Sequence, residues 1–175
     1  MFDQNDADNP LDLDVHHDES DFFEVQRRRV LAVLESFDQF SNGTIDVNDV
    51  GNVIRCVGLA PSEVEVAKVV DQLSKNPENR VNSEHLMSRV LSAIEHGEWT
   101  PPAEALLHAA FETIALDEPL TKTRLQYLLT RFGEPLTDAK MKEMMSHIGV
   151  KRNGTIDVKT YVRDVRDELK IWKVE

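Results

Sequence analysis

Several oxygen-bearing residues in the first third of the chain fall at the spacing of a cation-binding loop. Asp38, Asn42, Thr44, Asp46 and Asp49 occupy positions 1, 5, 7, 9 and 12 of a twelve-residue segment. Calcium takes roughly six to eight oxygen ligands, and carboxylates, an amide and a position-7 backbone carbonyl at this spacing supply them when helices flank the loop. The segment, which we call loop one, therefore predicts calcium chemistry.

Two departures from that pattern weaken the expected calcium binding. Phe40 stands at position 3, where a ligand is expected. Asp49 stands at position 12, where glutamate normally closes the cage, and its side chain is too short to reach the ion readily with both oxygens. The sequence therefore predicts weak calcium binding at loop one only, in a protein that requires no cofactor.

Three further segments resemble loop one but have lost more of the ligands. Loop two (74–85) begins with a neutral serine and ends with a histidine. Loop three is two residues short and has Arg124 at its closing position, where a positive charge repels calcium. Loop four (149–160) has Lys151 at position 3. We expect these three loops to be free of metal.

A repeated unit accounts for the spacing of the four loops. The motif Asn-Gly-Thr-Ile-Asp-Val occurs at 42–47 and again at 153–158. Aliphatic anchors recur at steps of 36, 39 and 36 residues, at Ile45, Val81, Leu120 and Ile156. Apolar residues at i, i+3, i+4 and i+7 around the anchors indicate amphipathic helices, and Ser62 with Glu65 forms a capping box at one helix start. The repeat predicts an all-α, calmodulin-like fold with four EF-hand helix–loop–helix units paired into two lobes.

Composition shifts along the chain predict its organisation. Residues 1–21 carry eight acidic residues and no Lys or Arg, so we expect a disordered acidic tail. An N-terminal EF-hand pair is predicted over 22–96, and a hinge rich in glycine and proline over 97–101. The C-terminal pair is predicted over 102–175, with an extended last helix.

The overall charge and composition restrict the class of function. The net charge of -12 disfavours nucleic acid, because such binding neutralises phosphates, and it suits a basic amphipathic helix. Cys56, the single cysteine, is expected to be a small core residue. No secretory signal, membrane-spanning run, nucleophile motif, phosphate-binding loop or zinc spacing is apparent. We expect a cytoplasmic protein that is not an enzyme and binds neither membranes nor small-molecule substrates.

Five residues are candidates for contact with a partner. Met141, Met144 and Met145 form a helical stripe, which indicates either an adaptable groove for a partner helix or core packing. Trp99 and Trp172 lie outside the repeat core, near the hinge and the C-terminus. Each tryptophan is either a partner anchor or packs on its own lobe.

The first and third units resemble a more specific family. The resemblance rests on the stretch 37–47, the glycines and proline that follow it, and the Gly-Glu-Pro turn at 133–135. These features are similar to the EF-hand subunit family, subunit eight, of the nexin–dynein regulatory complex. The resemblance covers roughly residues 22–165. It implies a component of the ciliary or flagellar axoneme, part of the cytoskeleton, which clasps helical or coiled-coil partner subunits and helps regulate dynein-driven motility.

Two other functions stay open at this stage. The chain could be a calcium sensor of the calmodulin or centrin type, in which loop one binds the ion and tilts the neighbouring helices. It could also be a subunit like a myosin light chain, which uses the same clasp on a motor lever arm.

Overall fold

The computed structural model describes residues 16–74, 79–115 and 118–170, with side chains over 21–167 of those ranges. Within them the chain forms eight α-helices and two three-residue strands. The first half contains α1 (His16–Phe37), β1 (Thr44–Asp46), α2 (Val50–Cys56), α3 (Glu63–Leu73), β2 (Arg80–Asn82) and α4 (Ser83–Glu95). The second half contains α5 (Glu104–Ala115), α6 (Lys122–Leu129), α7 (Asp138–His147) and α8 (Val158–Lys170). None of these helices is both long and apolar enough to span a membrane.

The first half, which we call the N-terminal lobe (16–99), packs around a short antiparallel sheet. Ile45 on β1 pairs with Val81 on β2, and neither side chain is exposed to solvent. Helix α1 packs on α4, and α2 packs on α3. The apolar stripes of these helices meet over the sheet in a single core cluster. The first two anchors of the repeat therefore pair with each other across the sheet.

The second half, the C-terminal lobe (104–170), repeats this arrangement with a smaller core. Helix α5 packs on α8, and α6 packs on α7. The backbone N–H of Ile156 donates a hydrogen bond to the carbonyl of Leu120 at 2.8 Å, so the second pair of anchors also meets. The buried core cluster around them contains Leu120, Leu125, Ile148 and Ile156. The lobes touch where the Glu134 carboxylate accepts the backbone N–H of Glu63.

Several helix starts carry the caps that the sequence indicates. Ser62 accepts the N–H of Glu65 on its hydroxyl, and the Glu65 carboxylate accepts the Ser62 N–H at 2.7 Å, which completes the capping box. Thr137 caps α7 through Lys140 N–H. The backbone N–H and the hydroxyl of Ser62 together hold the pKa of Glu65 below its ordinary value.

The capping box makes a prediction for the pH dependence of stability. The depressed pKa means that ionised Glu65 stabilises the folded chain above the ordinary carboxyl pKa of about 4.3, and that this contribution is lost as the pH falls through the folded-state value. Glu65→Gln keeps a side chain that can complete the box but removes the charge. We expect its urea midpoint to lie below that of the wild type at pH ~7 and the two midpoints to converge in acid. A difference that stays constant across the titration would contradict this expectation.

Three details differ from the sequence prediction. Helix α1 begins at His16, so residues 16–21 are helical instead of belonging to the tail, because extending an existing helix adds one hydrogen bond for each residue fixed. Residues 1–15 lie outside the described ranges. Cys56 is exposed and not in the core, since it lies at the last position of α2, one residue before the buried Val57. The connection between the lobes runs from the end of α4 at Glu95 to Glu104, which is longer than the predicted hinge.

Candidate partner-binding site

Loop one keeps the turn of a cation-binding loop, and protein donors already engage its oxygens. The Asp38 carboxylate accepts the backbone N–H of Gly43 at 2.7 Å and that of Asn42 at 3.2 Å. The Asn42 side-chain oxygen accepts both the N–H and the hydroxyl of Thr44. Gly43 has a φ of +72°, a conformation that glycine adopts without strain.

The charge of Asp38 is stabilised from within the protein. Partial desolvation raises its pKa, but the backbone N–H groups of Gly43, Asn42 and Phe40 and the positive charge of Arg80 outweigh that effect. The pKa of Asp38 is therefore lowered from its ordinary value. The ionised carboxylate is stabilised mainly by the backbone N–H groups of loop one, with a smaller contribution from the charge of Arg80.

The rest of loop one does not provide a calcium cage. The Thr44 carbonyl, the position-7 ligand, accepts a hydrogen bond from Nη2 of Arg80 at 2.8 Å. Asp46 accepts the backbone and side-chain N–H groups of Asn48, and Asp49 lies at the start of α2 without a capping hydrogen bond. Over the part of the chain that the structure describes, no three His, Cys, Asp or Glu side chains come together as metal ligands. Several loop-one oxygens at ligand positions therefore accept hydrogen bonds from protein donors in this structure.

Loops three and four also contain internal cations. In loop four, Nζ of Lys151 lies 3.8 Å from Asp157, whose pKa is lowered chiefly by the backbone N–H of Thr160. In loop three, Arg124 pairs with Glu118 at 3.2 Å. A basic side chain therefore lies beside an acidic group in both C-terminal loops.

The C-terminal lobe holds an open apolar cleft, which we call the groove. Its volume is ≈ 360 Å³, whereas the cleft between α1 and α4 of the N-terminal lobe measures only ≈ 70 Å³. All four helices of the lobe contribute to its walls, and its lining residues are apolar apart from one tyrosine. The lining residues are Leu107, Ala110, Phe111, Ile114, Leu125, Leu129, Met144, Tyr161, Val162 and Val165.

The structure separates the three methionines of the predicted stripe. Met144 lines the groove, as the partner hypothesis requires. Met141 is only 1% exposed and belongs to the packed interior, so it is not available to a partner. Met145 is half-buried against the core of the same lobe, and its carbonyl accepts a hydrogen bond from Nζ of Lys122. One turn of helix therefore carries both core and groove residues.

Trp99 packs on its own lobe. Its ring lies against the N-terminal core, with the Arg89 guanidinium 4.3 Å from the ring centroid. Its carbonyl accepts the N–H of Ala60 at 2.7 Å, and its side chain hydrogen-bonds Glu65. These contacts favour the packing alternative for Trp99. Trp172 lies outside the described residues.

Sequence reasoning did not identify most of the groove or the role of Arg80. The α5 residues Leu107, Ala110, Phe111 and Ile114 have the periodicity of a core stripe, and nothing in that pattern indicates that part of the stripe is left uncovered. Arg80 is adjacent to the anchor Val81, but its reach across the sheet depends on strand register.

The sequence of the chain is similar to the sequences of several known proteins. No protein-family model matches the chain. It is 30% identical over 138 residues to dynein regulatory complex protein 8 of Mus musculus, a match that covers 77% of this chain and 84% of the relative. It is 26% identical over 133 residues to calglandulin of Tropidechis carinatus, covering 75% of this chain and 83% of the relative.

Two solved structures share the fold. Mlc1p bound to IQ2 of Myo2p, a class V myosin, superposes with a TM-score of 0.62 at 24% identity and covers 77% of this chain and 94% of that chain. The myosin II regulatory domain of Physarum polycephalum gives a TM-score of 0.62 at 19% identity, covering 78% of this chain and 92% of that chain. At these identities the likeness concerns the fold alone.

Proposed function

Because the chain belongs to the family of dynein regulatory complex protein 8, within the calmodulin-like superfamily, we propose that it is a non-catalytic structural and regulatory subunit of the ciliary or flagellar axoneme. In that role it holds a helical partner subunit of the dynein regulatory complex and helps regulate dynein-driven motility. One relative named above is a dynein regulatory complex protein and the structural neighbours are parts of myosin assemblies, which supports a role other than catalysis.

The fold that performs this role consists of four EF-hand units in two lobes. The pairing of Ile45 with Val81, and the hydrogen bond between Ile156 and Leu120, support the assignment of the four anchors as the centres of paired helix–loop–helix units. The internal contacts of the loops support a clasp that needs no calcium. We infer that calcium is not required for the function.

The groove is the observation that carries the proposal. An apolar cleft of ≈ 360 Å³ is left uncovered in the C-terminal lobe, whereas the cleft between α1 and α4 measures ≈ 70 Å³, and covering the larger cleft would remove apolar surface from water. Half-buried Met144 and Phe111 on its walls can adapt to the side chains of a bound helix. The occupant is an amphipathic helix of a partner subunit, because the apolar face of such a helix matches the apolar lining of the groove.

The neighbouring structure provides a precedent for such an arrangement. Mlc1p is bound to IQ2 of a myosin, so a chain of this fold can hold a segment of another protein. The same precedent underlies the alternative of a myosin-light-chain-like subunit, but the more extensive sequence likeness is to dynein regulatory complex protein 8. The calcium-sensor alternative is disfavoured because the loop-one oxygens are engaged by protein donors.

Fractionation of ciliated cells that express a tagged chain tests the proposal. We expect the chain to stay with the axoneme after detergent removes the ciliary membrane, and to co-purify with other subunits of the dynein regulatory complex after salt extraction. Recovery in the detergent-soluble fraction together with a myosin heavy chain would overturn the proposal in favour of the motor alternative. A chain that enters the axoneme only when calcium is added would overturn the metal-independent clasp.

A further inference from the structure

We propose that Arg80 is the resident cation of loop one and that it makes the closed packing of the N-terminal lobe independent of calcium. Arg80 lies on β2, opposite Asp46, and its side chain extends diagonally to Thr44. Nη2 donates to the Thr44 carbonyl at 2.8 Å, and Nε donates to the Thr44 hydroxyl at 2.5 Å. The carbonyl that a calcium ion would use in loop one is thus held by a guanidinium from loop two.

Phe40 completes this arrangement. The guanidinium carbon of Arg80 lies 5.1 Å from the centroid of the Phe40 ring, within the range of a cation–π interaction. The ring is otherwise 69% exposed, and it stands at position 3, where a calcium loop has an oxygen ligand. The substitution that removes a ligand from loop one therefore supplies a face for the arginine. Phe40 and Arg80 form a matched pair.

The positive charge of Arg80 also influences the ionisation of Asp38. The positive charge of Arg80 is one of the causes that keep the pKa of this carboxyl below its ordinary value. A calcium ion entering loop one would have to displace the guanidinium from Thr44 and would meet a like charge at close range. The structure thus accounts for both the retained turn and the missing metal ligands of loop one.

Loop four of the C-terminal lobe contains a similar arrangement. Lys151 stands at position 3 of loop four, and its ammonium lies 3.8 Å from Asp157. In loop four, as in loop one, the residue at position 3 is not a ligand and a basic group of the protein is near an acidic one. A basic side chain of the protein therefore contacts a loop in both lobes, although Arg80 makes more contacts with loop one than Lys151 makes within loop four.

Calcium titration of full-length variants tests the proposal. Arg80→Met keeps most of the apolar side chain and removes the charge, and Phe40→Asp with Arg80→Met also restores an oxygen ligand. We expect calorimetry to show at least a roughly tenfold gain in calcium affinity for the double variant over Phe40→Asp alone, a smaller gain for Arg80→Met over the wild type, and calcium to raise the thermal midpoint of the double variant. Equal affinities of the double variant and Phe40→Asp would overturn the proposal.

The N-terminal lobe contains a matched control in Arg89. Its guanidinium lies over Trp99 and pairs with Glu98 at 2.6 Å, away from loop one, so Arg89→Met removes an arginine–aromatic contact from the same lobe. We expect Arg89→Met to leave calcium affinity unchanged, and a gain equal to that of Arg80→Met would refute the assignment. Arg80→Lys covers the case in which Arg80→Met does not fold. Arg80→Lys keeps the positive charge, so we expect it to fold and to show no gain in calcium affinity. If Arg80→Lys unfolds to the same degree as Arg80→Met, the positive charge is not the property of Arg80 that matters.

Discussion

Replacing Ile45 with alanine is expected to lower the free energy of unfolding of the N-terminal lobe by about 2–5 kcal/mol. The side chain is fully buried at the centre of the β1–β2 pair, where it meets residues of the surrounding helices. Its removal loses the transfer free energy of three carbon atoms and leaves a cavity that the tightly packed neighbours cannot fill. We therefore expect the unfilled cavity to account for a large part of the stability that the N-terminal lobe loses.

Trp99 provides the measurement because it packs on the N-terminal core. With Trp172→Phe as the background, urea unfolding followed by tryptophan fluorescence reports this lobe alone. Ile156→Ala is the matched control, since Ile156 occupies the corresponding anchor position in the C-terminal lobe. We expect Ile156→Ala to shift the Trp99 transition little. An equal shift from both variants would contradict the presence of two separate cores.

Replacing Ala110 with aspartate is expected to weaken binding of the partner helix by about tenfold to a hundredfold. Ala110 is exposed on the wall of the groove, so the lobe can fold with the larger side chain. A bound helix would bury the new carboxylate among apolar side chains without a hydrogen-bonding partner, and an unpaired buried charge costs several kcal/mol unless it moves or becomes protonated. We expect Ala110→Asp to lower the affinity for the partner helix and to leave the stability of the free chain unchanged.

Ala109 offers a control that differs by a single position. It is also an exposed alanine of α5, but it does not line the groove. In cells that lack the native chain, Ala109→Asp should restore the amount bound to axonemes, whereas Ala110→Asp should leave only a small fraction bound. Equal binding of the two variants, with unchanged helical circular dichroism, would place the partner on another surface.

The helices, the loops and the anchors of the repeat were predictable from residue type and spacing. The anchors Ile45, Val81, Leu120 and Ile156 were identifiable because the repeat fixes their distance along the chain and period 3.6 marks the helices beside them. The capping box of Ser62 and Glu65 was identifiable for the same reason, since its partners are three residues apart. The loss of ligands at Phe40 and Asp49 was equally a matter of residue type at a known loop position.

Which residues of each stripe are buried and which remain open depends on how the helices pack against one another. Met141 and Met144 are one helical turn apart and share a stripe, yet one is in the core and the other lines the groove, because the distance between packed helices is not encoded in their periodicity. The packing of Trp99 follows from the fold of the inter-lobe connection. The contact of Arg80 with Thr44 spans 36 residues and exists only because strand pairing sets that register. Helix periodicity, helix caps and loop positions depend on residues close together in the chain, so they can be predicted from spacing. The open groove and the contact of Arg80 with loop one depend on elements that are distant in the chain.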